Sequence, residues 1–147
     1  MKIQEYINEF KGHFHGQHGA GLGLNESQSE VYVDLTVQSS MQYMQSLMMT
    51  GKIKELQTLM SGGAEALQNS EYYQALITQC AAAYYGLDWE LDRKKNLAVH
   101  ILGFVLGGLK AKFEEGGHSA TPQGVMQFLG IVLGILGKMG GLFGKWF

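Results

Sequence analysis

The chain has one cysteine and one proline in 147 residues. A lone Cys80 leaves no intrachain disulfide and no cysteine-based zinc site. It falls in an apolar helical stripe, where a thiol is an inert core residue rather than a nucleophile. The single Pro122 leaves long stretches free of helix breakers. Charge is also scarce, with 11 basic and 13 acidic residues and a net charge of −2. A phosphate-binding surface needs clustered Lys and Arg. The only tight basic run is Arg93-Lys94-Lys95, flanked by Asp88, Glu90 and Asp92. It reads as a solvated helix face, so no nucleic-acid partner is expected. The first five residues lack the apolar region of a secretory signal, and cytoplasmic residence is the default expectation.

Catalytic signatures are missing as well. There is no G-x-S-x-G, H-E-x-x-H or P-loop pattern. The run Gly19-Ala20-Gly21-Leu22-Gly23 is glycine-rich, but no strand precedes it and no Lys-Ser/Thr follows. His100 lies in an apolar helical segment, where a hydrogen-bonded core histidine is the common case, and His118 lies between helices. Such catalysis needs a nucleophile, a base and an orienting group converging in a pocket, and no motif in the chain brings them together. The expectation is a chain that is not an enzyme and needs no cofactor. Alternating strand patterns bracketed by hairpin turns are absent too, which excludes a sheet-based fold by pattern.

What remains is helical periodicity, 21 glycines and 8 methionines. Ile3, Tyr6, Ile7 and Phe10 follow the i, i+3, i+4, i+7 pattern of a short amphipathic helix. Gly12, Gly16, Gly19, Gly21 and Gly23 then read as a loop. Ser27 with Glu30, or Asn25 with Gln28, forms a capping box for a helix running to about Thr50. Its stripe is Val33, Val37, Met41, Met44 and Met48; methionines at that spacing are core before they are a binding surface. Gly51 stops it. A short helix covers Lys52 to Met60, Ser70 caps another starting at Glu71, and Gly86 ends that one. Asp88 starts the longest helix, to about Glu114, whose middle from Leu97 to Leu109 is apolar nearly all round, as in a buried central helix. Gly103 and Gly107 share a face there, as expected where helices approach closely. Thr121 caps the last helix with Pro122 at its first position. The fold class is therefore all-α, a compact bundle of five to seven helices. It has a long apolar central helix and a glycine-striped C-terminal one. One domain has three parts: residues 1–24, a short helix plus Gly/His-rich loop; 25–117, the helical core; and 118–147, the apolar tail.

The tail carries the most unusual pattern. After Glu115 no acidic residue occurs, and Lys138 and Lys145 are the only formal charges. On a helix, Gly130, Gly134, Gly137, Gly141 and Gly144 form one stripe, while Phe128 and Trp146 stand among the large apolar residues beside it. Five glycines forfeit several kcal/mol of helix propensity, roughly 1 kcal/mol each, so some contact must offset the loss. Three partners are open: the chain's own domain, a second copy or other protein, and a membrane interface. The apolar stretch Phe128 to Leu136 is too short to span a bilayer. Self-association or protein binding through this helix is the leading expectation, with lipid binding by the same helix as the alternative.

A weaker expectation concerns His13, His15 and His18. Three imidazoles within six residues could ligate zinc, nickel or copper. No cysteine and few carboxylates lie near them.

From Val31 to Leu129 the order of signals resembles a known pattern. A helix ends at Thr50-Gly51 and is followed by Lys52-Ile53-Lys54-Glu55-Leu56. The Met60-Ser61-Gly62-Gly63 break, the Tyr85-Gly86-Leu87-Asp88 helix start, the long helix with Gly107-Gly108-Leu109, and Gly141-Leu142-Phe143-Gly144-Lys145 complete it. The chain resembles the small bacterial YidB-like family of all-helical proteins of unknown function. That resemblance implies a compact helical fold and a bacterial origin, and it supplies no catalytic residues. The His-rich segment near the N-terminus departs from the pattern.

Overall fold

The computed structural model describes residues 3–137, with side chains to residue 134, and these residues form an all-helical bundle with no strand among them. Six helical rods build it. The first is continuous: α1 (Ile3–Phe14) passes through a π-helical turn (His15–Gly19) into a last turn, α2 (Ala20–Leu22). Then come α3 (Glu26–Met49), α4 (Ile53–Gly62), a 3-10 turn (Ala64–Leu67), α5 (Glu71–Ala83), α6 (Leu91–Glu115) and α7 (Pro122–Gly137).

The first rod corrects the expectation of a loop after Phe10. Glycine weakens a helix but does not forbid one when packing compensates. Phe14 is 1% exposed and Leu24 5% exposed, so this segment buries apolar surface on both sides of the glycines. The wide π-turn lays Gly19 against Ser29 of α3, where a Cβ would collide with the serine hydroxyl. The rod ends at Gly23, whose φ of 96° is the left-handed C-terminal conformation. Arg93 of α6 caps it by donating from Nη2 to the Leu22 carbonyl at 3.2 Å. Its guanidinium also lies 3.6 Å over the Trp89 ring. The basic run is thus not merely solvated: its first member fastens one end of the bundle.

Local signals placed most other boundaries. The capping box of α3 is the one formed by Asn25 and Gln28, each side chain bonding the other's backbone N–H at 2.8 and 3.0 Å. Ser70 Oγ accepts from the Tyr73 N–H, and Thr121 Oγ1 accepts from the Gly124 N–H, as their positions imply. Gly51 and Gly86 both stand at φ 73°. Asp88 does not cap α6; the N-cap position falls to Glu90, which makes no side-chain capping bond.

The core forms around two long helices. α6 is the long apolar helix expected, packed against α1, α3, α4 and α5. It shares the centre with α3, which touches every other long rod. Half of the α6 span apolar enough to cross a membrane is buried in the domain, yet Val99 is 45% and Phe104 37% exposed. α3 buries Met41 and Met44 as its stripe implies, but it also buries Ser29, Thr36, Gln38, Ser39 and Ser40. Small polar side chains enter a core when they bond nearby carbonyls. Thr36 Oγ1 donates to the Tyr32 carbonyl at 2.7 Å and Ser40 Oγ to the Thr36 carbonyl at 2.8 Å. The Tyr84 hydroxyl meets Thr36 Oγ1, and the Tyr32 hydroxyl donates to the Tyr85 carbonyl at 2.6 Å. Cys80 is fully buried, and burial pushes its thiol up to about 12. It is a core residue with no thiolate character at neutral pH.

Candidate functional site

α7 enters the bundle by its first three turns. The loop before it is held by Gln57 Nε2, which donates to the Ala120 carbonyl at 2.8 Å. Val125 and Leu129 are 0% exposed, Val132 3% and Phe128 6%, and this face packs against α1, α3 and α4. Phe128 lies edge-on to Phe113, ring centroids 5.3 Å apart, and close to His118 at 5.2 Å. Phe128 is therefore engaged by its own domain, not offered to a partner.

The opposite face is open. Gly130 and Gly134 are exposed, and a Cβ built at either would meet nothing within 4 Å among the described residues. Beside them Ile131 is 53% and Met126 39% exposed. The glycines are not used for close packing inside the described domain. Gly137 ends the described helix, and the expected contact residues Gly141, Gly144 and Trp146 lie outside the described residues.

The glycines expected at a close approach in α6 are also open. Gly103 and Gly107 would tolerate a Cβ, whereas the adjacent Gly108 is buried under the Tyr6 ring, which a Cβ would strike. The Tyr6 hydroxyl donates to the Phe104 carbonyl at 2.9 Å and fixes that ring. Helical spacing marked the right helix but the wrong residue, because only the position of α1 distinguishes Gly107 from Gly108.

The three N-terminal histidines point to different neighbours. His15 Nδ1 lies 2.8 Å from Ser29 Oγ. His13 is exposed. His18 stands against His100, ring centroids 4.9 Å apart, and against Phe104 at 5.0 Å. No group of three His, Cys, Asp or Glu among the described residues is placed to hold a metal ion. His13 and His18 do share one cleft of about 260 Å³, walled also by Tyr6, Glu9, Phe10 and Phe104. His100 was invisible as part of this cluster in sequence, since it lies far along the chain on α6. Its Nε2 is buried and makes no hydrogen bond among the described residues. Burial, and then the neighbouring His18, hold its basicity below the ordinary 6.5.

No protein-family model, curated protein or solved structure matches this chain.

Proposed function

We propose that the chain is a non-enzymatic interaction protein that self-associates through the outward face of α7. The carrying observation is the division of labour on that helix. Val125, Phe128, Leu129 and Val132 bury one face in the domain, while Gly130 and Gly134 leave the other open beside exposed Ile131 and Met126. Glycine at an exposed helix interior costs stability and gains nothing unless another backbone comes close. A second helix laid across Gly130 and Gly134 supplies that contact, and the stripe extends through Gly137, Gly141 and Gly144 in the sequence. A second copy is the simplest partner, because the same face then serves both sides of a two-fold interface.

Sedimentation velocity of the full chain, beside Gly130→Leu and Gly134→Leu, tests this. The parent should associate with rising concentration, and the leucine variants, whose side chains have room in the monomer, should stay monomeric. A parent that is monomeric throughout, yet floats with anionic vesicles, would assign the face to lipid instead. Absence of both behaviours would leave the proposal refuted.

A further inference from the structure

The first rod is seated on α6 and α3 by contacts of unequal kind. Tyr6 bonds the Phe104 carbonyl, Lys11 pairs with Asp34 of α3 at 2.9 Å, and Arg93 caps the far end. Phe10 stacks on Phe104 at 4.9 Å, and Phe14 is sealed beneath. Amid these, His18 and His100 meet edge to face at 4.9 Å. His100 Nε2 is shut away from water without a protein partner among the described residues. A neutral imidazole tolerates such a place at modest cost. An imidazolium does not, because it loses hydration and meets a second imidazole able to carry the same charge.

We infer that the His18–His100 pair makes the seating of the N-terminal rod on α6 acid-sensitive, so that protonation releases the rod and uncovers the Phe10–Phe14–Phe104 surface. The other ionisable groups on elements packed around α6 are not among the causes that shift His100. On the rod they are Glu5, Glu9, Lys11, His13 and His15; on α3, Glu26, Glu30 and Asp34, the last already held by Lys11; on α4, the 3-10 turn and α5, Lys54, Glu55, Glu65 and Glu71. On α6 itself Asp92, Arg93, Lys94 and Lys95 precede His100, and Lys110, Lys112, Glu114 and Glu115 follow it. His18 is the group whose charge acts on His100.

The sign follows from proton uptake. Above the ordinary 6.5 of a free imidazole, both seated and released forms are neutral and seating is at full strength. Below it the released form binds a proton that the seated form resists, so seating weakens as pH falls. One extra proton raises the opening constant about tenfold per pH unit across that window.

Native-state hydrogen exchange on the full chain tests this, with rates corrected for intrinsic pH dependence. Between about pH 7.5 and about pH 5.5 the rod's amides should lose protection by roughly that factor per unit below 6.5, while α5 amides keep theirs. His100→Gln should flatten the response. Should that variant fail to fold, His18→Gln and an NMR titration of the parent's imidazoles replace it: His18→Gln should weaken the response, and His100 should titrate below 6.5. Rod protection independent of pH, or an undiminished response in His100→Gln, would overturn the inference. The second outcome would place the sensitivity outside the His18–His100 pair.

Discussion

Gly108 and Gly130 occupy helix interiors of similar apolar character, and they serve opposite ends. Gly108 lies under the Tyr6 ring, as Gly19 lies on Ser29. At both places the missing side chain is what lets two elements of the same domain touch. A Cβ at Gly130 or Gly134 would meet nothing within 4 Å among the described residues. Their missing side chains do nothing for the described domain, and each weakens its helix. A glycine that costs helix stability without a neighbour marks either neutral drift or a neighbour from outside the domain. Two such glycines sharing one face with exposed Ile131 and Met126 favour a neighbour from outside the domain.

Alanine substitution at these positions should split by sign, and that split is the sharpest way to break the comparison. Gly19→Ala and Gly108→Ala should each destabilise by about 1–3 kcal/mol, since a methyl group enters a filled space. Urea unfolding measures it. Unchanged midpoints would mean that Tyr6 and Ser29 yield freely and that the seat of the rod is loose. Replacing Ser29 by Ala in the Gly19→Ala background should recover part of the loss, because the colliding hydroxyl is gone; strict additivity would deny the contact.

Tyr6→Phe separates the ring from its hydrogen bond. It keeps the packing over Gly108 and removes the donor to the Phe104 carbonyl, a change of about 0.5–1.5 kcal/mol. A loss as large as that of Gly108→Ala would show that the hydrogen bond, not close approach, seats the rod. The smallest effect carries the opposite sign. Gly130→Ala, Gly103→Ala and Gly107→Ala should each stabilise the monomer by up to about 1 kcal/mol, measured at concentrations too low for association. Destabilisation at Gly130 would reveal a close contact inside the monomer and remove the reason for seeking a partner.

Local chemistry was legible in the sequence; spatial relations were not. Ser70, Thr121, Pro122, Gly51 and Gly86 act within a turn of their own position, so their roles could be read from spacing. The all-helical class followed from periodicity for the same reason. The rod through Gly12–Gly23 was misread because its glycine content argues for a loop, while its compensation lies in burial against α3 and α6. The centrality of α3 was hidden by Ser29, Thr36, Ser39 and Ser40, which look like surface residues until their partners are in place: His15 for Ser29, Cys80 for Ser39, and nearby carbonyls and the Tyr84 hydroxyl for Thr36 and Ser40. Of the candidate site, spacing identified Gly130 and Gly134 on one face. It could not reveal that this face is the open one, nor that Phe128 on the other side is taken by Phe113. The pairing of His18 with His100 had no local signal at all.

The central claim is that the outward face of α7 is where two copies meet, and cysteine cross-linking of the full chain tests it most directly. Cys80 is buried and its thiol stays protonated at neutral pH, so an introduced cysteine reports alone. Under mild oxidation Ile131→Cys should form a covalent dimer in high yield, and Thr78→Cys, also exposed but on α5, should not. Equal yields at the two positions, or none at Ile131→Cys, would contradict the account.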